Sequence, residues 1–234
     1  MWLIAEYEAV TLFSLKLSTA TSSGGKTLLV PTPYALKMAL LDSACRTLGV
    51  NQGELLWEQI RGLHVAIRPA SQVVVTNLFQ RILKPFKNPP KEGTPDSFGP
   101  FQRTIGYREY AHLIGPMAVA LELSEAKKET FVNLLLNINY FGKRGGFMQL
   151  VKTPHVVEEF PAQFVDATNQ QTSFSIFGIL QALDDCAPTL AFERANIYSG
   201  VKLKDGDRVS RNVILPYRMT RSSKSFSLYE YVTD

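Results

Sequence analysis

The sequence predicts an α+β fold in the order β-α-β-β-α-β, which is the ferredoxin-like or split βαβ arrangement. Three observations support this prediction. The chain begins with alternating apolar and polar residues. Two amphipathic helical patterns follow at residues 33–48 and 125–139, and β-rich stretches flank these two helical patterns. The predicted ferredoxin-like domain covers residues 1–152, and residues 153–234 are predicted to form a smaller, appended β-rich part.

The first strand and the first helix each show a clear local signature. Along residues 2–17, Leu3 and Tyr7 fall on one face and the acidic Glu6 on the other, which is the two-residue period of a half-buried strand. A polar Ser/Thr/Gly-rich linker follows. Thr32 is the predicted N-cap of the first helix, because Pro33 then takes the first helical position and Gly49 ends the apolar stripe.

Two β-rich stretches, residues 64–83 and 102–123, form the centre of the predicted domain. The connection between them, KPFKNPPKEGTPDSFGPF, contains five prolines and three phenylalanines. Such a composition is incompatible with a helix. We therefore predict that residues 84–103 form a projecting loop or the tip of a long hairpin.

The second helix begins after Ser124, a predicted N-cap, and carries apolar residues at helical spacing. The turn YFGKRGGF then leads into the strand-like FMQLV, which completes the predicted domain. In the remainder, RNVILPYRM and SFSLYEYV have the composition of two strands.

Basic residues are clustered along the chain, although the net charge is only +4. Residues 208–224 contain five basic side chains and no acid, and residues 81–103 hold a second cluster that only two acids interrupt. Clustered cations with aromatic residues nearby are typical of proteins that bind a polyanion, most commonly RNA or DNA. A solubilising surface explains the same charges equally well.

Several functional classes find little support in the sequence. Cys45 and Cys186 lie far apart and the three histidines are scattered, which argues against a disulfide framework and a zinc site. The relaxed phosphate-loop pattern ATSSGGKT lacks a following helix, because prolines stand at positions 31 and 33. No uncharged apolar run approaches the roughly 20 residues of a membrane helix. We therefore expect a cytoplasmic protein without a cofactor, a metal or a membrane partner.

The segment YREYAH is the one local cluster with catalytic potential. On a strand, Arg108, Tyr110 and His112 share one face, while Tyr107 and Glu109 share the other. A tyrosine, a histidine and a cation together could cleave RNA by activating a 2′-hydroxyl. A strand face that binds RNA or a neighbouring subunit without chemistry is the alternative that we favour.

The glycine-rich turn at residues 142–146 has the properties of a phosphate-binding loop. Its glycines allow backbone amides to approach a phosphate closely, and Lys143 and Arg144 supply positive charge. Phe141 or Phe147 could stack on a base. An ordinary helix C-cap with solvated basic residues fits the local sequence equally well.

Four segments in order resemble the Cas-five family of CRISPR-associated proteins, within the RAMP superfamily. They are PTPYALKMAL after the first strand, GYREYAHL with the following MAVALEL, INYFGKRGGFMQL, and the closing RNVILPYRM with FSLYEY. The resemblance extends over most of the chain. It implies a single-copy, non-catalytic subunit of a type I Cascade surveillance complex, with an RNA-recognition-type domain, a protruding thumb hairpin and a variable C-terminal part.

In such a complex the subunit caps the 5′ handle of the CRISPR RNA (crRNA), contacts the backbone subunit and the large subunit, and meets target DNA only indirectly. The resemblance places the first helix and its preceding linker at the RNA, the thumb at residues 84–103, and the glycine turn beside the handle. Together with the basic clusters, it gives ten candidate RNA-binding residues: Lys26, Thr32, Lys84, Lys87, Arg103, Arg108, Lys143, Arg144, Arg218 and Arg221.

The alternative function is that of a metal-independent endoribonuclease that processes precursor crRNA. One branch of the resembled family performs this reaction with Tyr, Lys and His residues. The corresponding candidates in this chain are Tyr110, Lys143 and His112.

Overall fold

The computed structural model describes residues 1–17, 25–88, 90–91, 93, 101–143, 145–169 and 177–232. Helices and antiparallel sheets alternate in these ranges, so the predicted mixture of helices and strands is confirmed. The elements are β1 (Trp2–Ala9), α1 (Pro33–Leu48), α2 (Val50–Arg61), β2 (Val65–Arg68), β3 (Gln72–Pro85), β4 (Phe101–Ile114), β5 (Met117–Glu122), a 3-10 turn (Glu125–Lys127), α3 (Lys128–Leu136), β6 (Met148–Leu150), β7 (His155–Val157), β8 (Val165–Asp166), β9 (Ile179–Cys186), α4 (Phe192–Ala195), β10 (Arg208–Leu215), β11 (Tyr217–Ser222) and β12 (Phe226–Tyr231).

The first sheet has the strand order β6-β1-β5-β2-β8, and β7 also pairs with β1. All of its pairings are antiparallel. Leu3 and Tyr7 of β1 point to the face that packs against the helices. The hydroxyl of Tyr7 donates a hydrogen bond to the carbonyl of Leu135 (2.8 Å), which ties this sheet to α3.

Helix α1 begins as the sequence predicts. The hydroxyl of Thr32 accepts a hydrogen bond from the amide of Ala35 (3.1 Å), and Pro33 occupies the first turn. At its end, Gly49 has a φ of 92° and connects α1 directly to α2. The sequence analysis did not predict α2, because its apolar residues are sparse and Gly53 interrupts them. That glycine is needed, since a Cβ there would collide with the sulfur of Cys45.

Four predicted β segments have different boundaries in the structure. The first ends at Ala9 instead of residue 17, because Phe13 and Leu15 turn away and are buried against other elements. Residues 64–83 form β2 and the first part of β3, and residues 102–123 form β4 and β5. Gly115, with a φ of 81°, separates β4 from β5. RNVILPYRM divides at Pro216 into β10 and β11.

The second sheet has the strand order β11-β12-β3-β4 and contains a long hairpin. Strands β3 and β4 pair continuously from Gln72 opposite Ile114 to Pro85 opposite Phe101. The hairpin extends far beyond the core, so Leu83 and Ile105 are largely exposed. Residues 89, 92 and 94–100 of the predicted projecting loop lie outside the described residues.

Segments after residue 152 contribute to both sheets. β7 and β8 join the first sheet, β11 and β12 join the second, and β9 and β10 form a separate pair beside α1. A domain boundary at residue 152 stays a prediction.

Residues 155–169 cover the face of the first sheet that is opposite the helices. The ring of Phe160 makes an edge contact with Trp2 (5.1 Å between centroids), and Phe164 packs near Ala118. The ring of His64 anchors this segment, since its Nδ1 lies 2.8 Å from Glu122 Oε2 and its Nε2 lies 2.8 Å from Asp166 Oδ2. Burial opposes protonation of this ring, but the two carboxylates outweigh it and raise the pKa of His64.

We expect the stabilising effect of His64 to weaken as the pH rises. Its folded-state pKa is above the unfolded value of about 6.5, so the contribution is complete below that pH and is lost as the pH rises through the folded pKa. His64→Gln should lower the free energy of unfolding by about 1 kcal/mol at pH 5.5 and by less at pH 9. Urea titrations at both pH values measure this difference, with His155→Gln as the control. An equal effect of His64→Gln at the two pH values would contradict the prediction.

Candidate nucleic-acid interface

One face of the second sheet is exposed, and the pairing of its strands determines which side chains lie on that face. Residues alternate between the two faces of a strand, and directly paired residues share a face. On β4, Glu109, Ala111 and Leu113 are buried, so Arg108, Tyr110 and His112 lie on the opposite, more exposed face. The predicted alternation of this segment is therefore present in the structure.

The neighbouring strands extend this face. Arg108, Tyr110 and His112 pair with Leu78, Thr76 and Val74 of β3. Thr76 and Val74 pair in turn with Phe226 and Leu228 of β12, and Leu228 pairs with Arg221 of β11. Arg218 of β11 pairs with Glu230 of β12, which pairs with Gln72 of β3, so this acid lies on the same face. We call this surface the open face; it comprises Gln72, Val74, Thr76, Leu78, Arg108, Tyr110, His112, Ile114, Arg218, Arg221, Phe226, Leu228 and Glu230.

The open face has an aromatic and aliphatic floor between two basic borders. Arg108 lies on the β4 side, and Arg218 and Arg221 lie on the β11 side, all three exposed. Three strand spacings separate the borders, or about 14 Å. Sheets of similar width stack two or three single-stranded bases on aromatic residues in RNA-recognition domains, while arginines bind the phosphates.

A second group of cations adjoins the β4 border. Burial lowers the pKa of Lys143, and the positive charges of Arg108 and Lys16 lower it further. Arg108 and Lys16, from different parts of the chain, thus both lie within electrostatic range of Lys143. A positive local potential of this kind favours the binding of phosphate.

The backbone around the glycine turn explains why these cations meet. Residues 10–13 run between the turn and β4: the amide of Val10 donates to the carbonyl of Phe147 (3.0 Å), and Phe13 and Ala111 exchange two hydrogen bonds. Gly142 has a φ of 74°, and a Cβ there would collide with Leu15. The glycine therefore permits close packing of the turn on this segment.

The remaining candidate residues occupy different places. Lys26 is exposed beside β4, whereas Thr32 is buried and its hydroxyl caps α1. Lys84, Lys87 and Arg103 are exposed on the distal part of the hairpin, with Lys84 and Arg103 on opposite faces of it. Arg144 lies outside the described residues. Of the two proposed stacking residues, Phe147 is 46% exposed but Phe141 is buried against Tyr7.

The three candidate catalytic residues are not joined by hydrogen bonds in the described structure. Tyr110 and His112 are two positions apart on the open face, and their Cα atoms are separated by about 6.6 Å of strand. Neither side chain forms a hydrogen bond with Lys143 among the described residues. General acid–base catalysis requires hydrogen-bond reach to the proton that is transferred, and the structure shows no preformed pair of this kind among these three residues.

Sequence reasoning did not identify Lys16 as a site residue, nor did it give Glu109 a role. Lys16 approaches Lys143 only because residues 10–17 leave the first sheet and cross to β4. The carboxylate of Glu109 accepts hydrogen bonds from the Thr27 amide (2.9 Å) and the Tyr107 hydroxyl (2.8 Å), which holds residues 25–28 against the sheet. A single sequence contains no signal for either long-range contact.

No helix in the described part of the chain is long and apolar enough to cross a membrane. No group of three or more histidine, cysteine, aspartate or glutamate side chains in these same ranges could hold a metal ion.

Comparison with known proteins links the chain to CRISPR-associated proteins. No protein-family model matches the sequence. The chain is 25% identical to the CRISPR-associated protein Cas5 of Archaeoglobus fulgidus, over 98% of both proteins. A crystal structure of a CRISPR protein from Archaeoglobus fulgidus aligns with 100% of this chain and 92% of its own, with a TM-score of 0.51 and 11% identity, which shows a shared fold.

A chain described as a CRISPR RNA-guided surveillance complex also aligns, over 99% of this chain and 91% of its own, with a TM-score of 0.44 and 12% identity. The Cas5 similarity spans almost the whole length of the chain. The resemblance of this chain to the Cas5 family is thereby confirmed.

Proposed function

We propose that this protein is an RNA-binding, non-catalytic subunit of a type I CRISPR surveillance (Cascade) complex. It holds the 5′ handle of the crRNA and contacts the backbone subunit and the large subunit, so that it meets target DNA only indirectly. The observation that carries the proposal is the open face, a stacking surface bordered on both sides by cations. The similarity to a Cas5 protein supports the CRISPR context.

Two features of the fold support the same proposal. The strand order β6-β1-β5-β2, with α1 after β1 and α3 after β5, is the order expected of a ferredoxin-like domain. The β3–β4 hairpin is inserted between β2 and β5, and its distal end includes the proposed thumb at residues 84–103. Its exposed lysines and its large exposed apolar residues suit contact with RNA and with a neighbouring subunit.

The proposal predicts binding of handle-containing RNA with a steep dependence on salt. Each phosphate that the protein neutralises releases counterions, so three to five contacts to single-stranded RNA should give a slope of log K against log salt of about −2 to −3.5. Fluorescence anisotropy with labelled crRNA from 50 to 300 mM KCl measures the slope. A chain that binds no RNA, or that binds independently of salt, would contradict the proposal.

The competing ribonuclease function is favoured by one observation, the position of Tyr110 and His112 beside Arg108 on an exposed face. We nevertheless expect the purified protein to leave a repeat-containing RNA intact in EDTA, because His112, the candidate general base, has no hydrogen-bonded side-chain partner among the described residues. Gel electrophoresis of labelled RNA tests this expectation. Defined fragments that disappear with Tyr110→Phe or His112→Ala, while RNA binding persists, would establish the ribonuclease instead.

A further inference from the structure

A cleft of about 410 Å³ lies between the second sheet and the β9–β10 pair, on the side of the sheet opposite the open face. Its walls include Leu29, Ile179 and the half-buried ring of Tyr229. Its polar lining includes Glu109, Lys26 and the side-chain amides of Gln181 and Asn212, and Gln181 Oε1 already accepts a hydrogen bond from the Leu29 amide (3.0 Å). A concave, mostly apolar site with a few polar groups is the usual form of a small-ligand site, and the volume is within the common range.

Glu109 is 9% exposed, and no ion pair neutralises it among the described residues. Its two oxygens each accept one hydrogen bond from a neutral donor, the Thr27 amide and the Tyr107 hydroxyl. A carboxylate offers about four acceptor positions. The side chain therefore retains acceptor capacity on both oxygens, in a setting where a further donor is strongly favoured.

Lys26 adds a positively charged hydrogen-bond donor to the same cleft. Its side chain is exposed, and the structure describes no acidic partner for it. The cleft thus combines a cationic donor with a carboxylate that can accept two more hydrogen bonds, between apolar walls that suit a flat ring. A ligand that pairs with both Glu109 and Lys26 presents one acceptor beside two adjacent donors on a planar edge.

Among the four RNA bases, guanine alone has this edge. Its O6 accepts, while N1–H and the N2 amine donate side by side; cytosine, adenine and uracil each offer at most one donor group on the Watson–Crick edge. We propose that the cleft binds a single unpaired guanine base of the RNA, with Glu109 on N1 and N2 and Lys26 on O6. The inference rests on the proposed RNA-binding function and adds a base preference to it.

The test uses the full-length protein and eight-nucleotide single-stranded RNAs. In one set, a single guanosine is placed at each position of an oligouridine, and in a matched set the guanosine is replaced by inosine, which lacks the N2 amine. We expect at least one guanosine position to bind about tenfold more tightly than oligouridine, a difference of about 1.4 kcal/mol. Inosine at that position should lose most of the gain.

Two variants connect the preference to the cleft. Glu109→Gln should abolish the preference for guanosine, and Lys26→Met, which changes an exposed side chain and leaves the Glu109 contacts in place, should reduce it several-fold. Glu125→Gln alters an exposed acid whose described partner is Lys128, and it should keep the preference. Circular dichroism checks that the variants are folded.

The outcomes separate this inference from the proposed function. Salt-dependent RNA binding without a base preference overturns the guanine site and leaves the proposed function standing. That result is also the one expected if the cleft receives an arginine of a partner protein, whose guanidinium can donate two hydrogen bonds to a carboxylate. If no RNA binds at all, both proposals are wrong.

Discussion

Replacement of Lys37 by methionine is expected to lower the free energy of unfolding by about 3–5 kcal/mol. The ammonium group of Lys37 on α1 lies 2.7 Å from Asp185 Oδ1 on β9, and the two side chains are only 2% and 7% exposed. The variant would leave the Asp185 carboxylate buried and without its cation, which is far less favourable than a buried pair. Urea denaturation at pH 7 measures the loss.

A double variant separates this cause from a simple packing defect. Lys37→Met combined with Asp185→Leu removes both charges, and we expect it to be clearly more stable than Lys37→Met alone. Arg46→Met is a control on the same helix, because Arg46 is more exposed than Lys37; it pairs with Asp42 (2.8 Å) and donates to the Asn137 carbonyl (2.8 Å), and its loss should cost about 1 kcal/mol. A Lys37→Met variant as stable as Arg46→Met would show that this pair is unimportant.

The largest effect on RNA binding is expected from reversing the charges of Arg108 and Lys143 together. Each change removes an attraction to phosphate and adds a repulsion, so the double variant should weaken binding of handle-containing RNA by about 2 kcal/mol, or roughly 30-fold. The pKa of Lys143 is lowered in part by Arg108, which shows that the two charges act in the same region. Anisotropy titrations at 100 mM KCl measure the loss.

The control must have the same net charge. Lys202→Glu with Lys204→Glu changes two exposed lysines that are not on the open face. This variant should lose much less affinity, and its salt dependence should remain close to that of the unmodified protein. Equal losses of affinity in the two double variants would mean that RNA binding depends only on the net charge of the protein. That result would contradict a defined interface at Arg108 and Lys143.

Local features of the structure were largely predictable from the sequence. Thr32 and Pro33 define the start of α1 because capping and the fixed φ of proline act within a few residues. The alternation around Tyr110 was also evident, since burial of one strand face imposes a two-residue period. Helix α2 was missed because its stability depends on a few buried side chains, such as Trp57, whose indole N–H donates to the carbonyl of Leu190 (2.8 Å).

The composition of the interface was less predictable, because it depends on which strands become neighbours. Arg218 and Arg221 were identified from a basic cluster, but only the pairing of β12 with β3 places them on the same face as Tyr110. The approach of Lys16 to Lys143 likewise depends on the path of residues 10–17. Contacts of this kind are set by tertiary packing and not by local periodicity.

The position of β12 has a consequence for synthesis of the protein. This strand lies between β11 and β3 in the second sheet, yet residues 226–231 follow every other described strand in the chain. The first sheet takes most of its strands from earlier residues and can begin to form while the chain is still on the ribosome. The open face, by contrast, is completed only after residue 231 has left the ribosome, so the RNA-facing surface forms later than the first sheet.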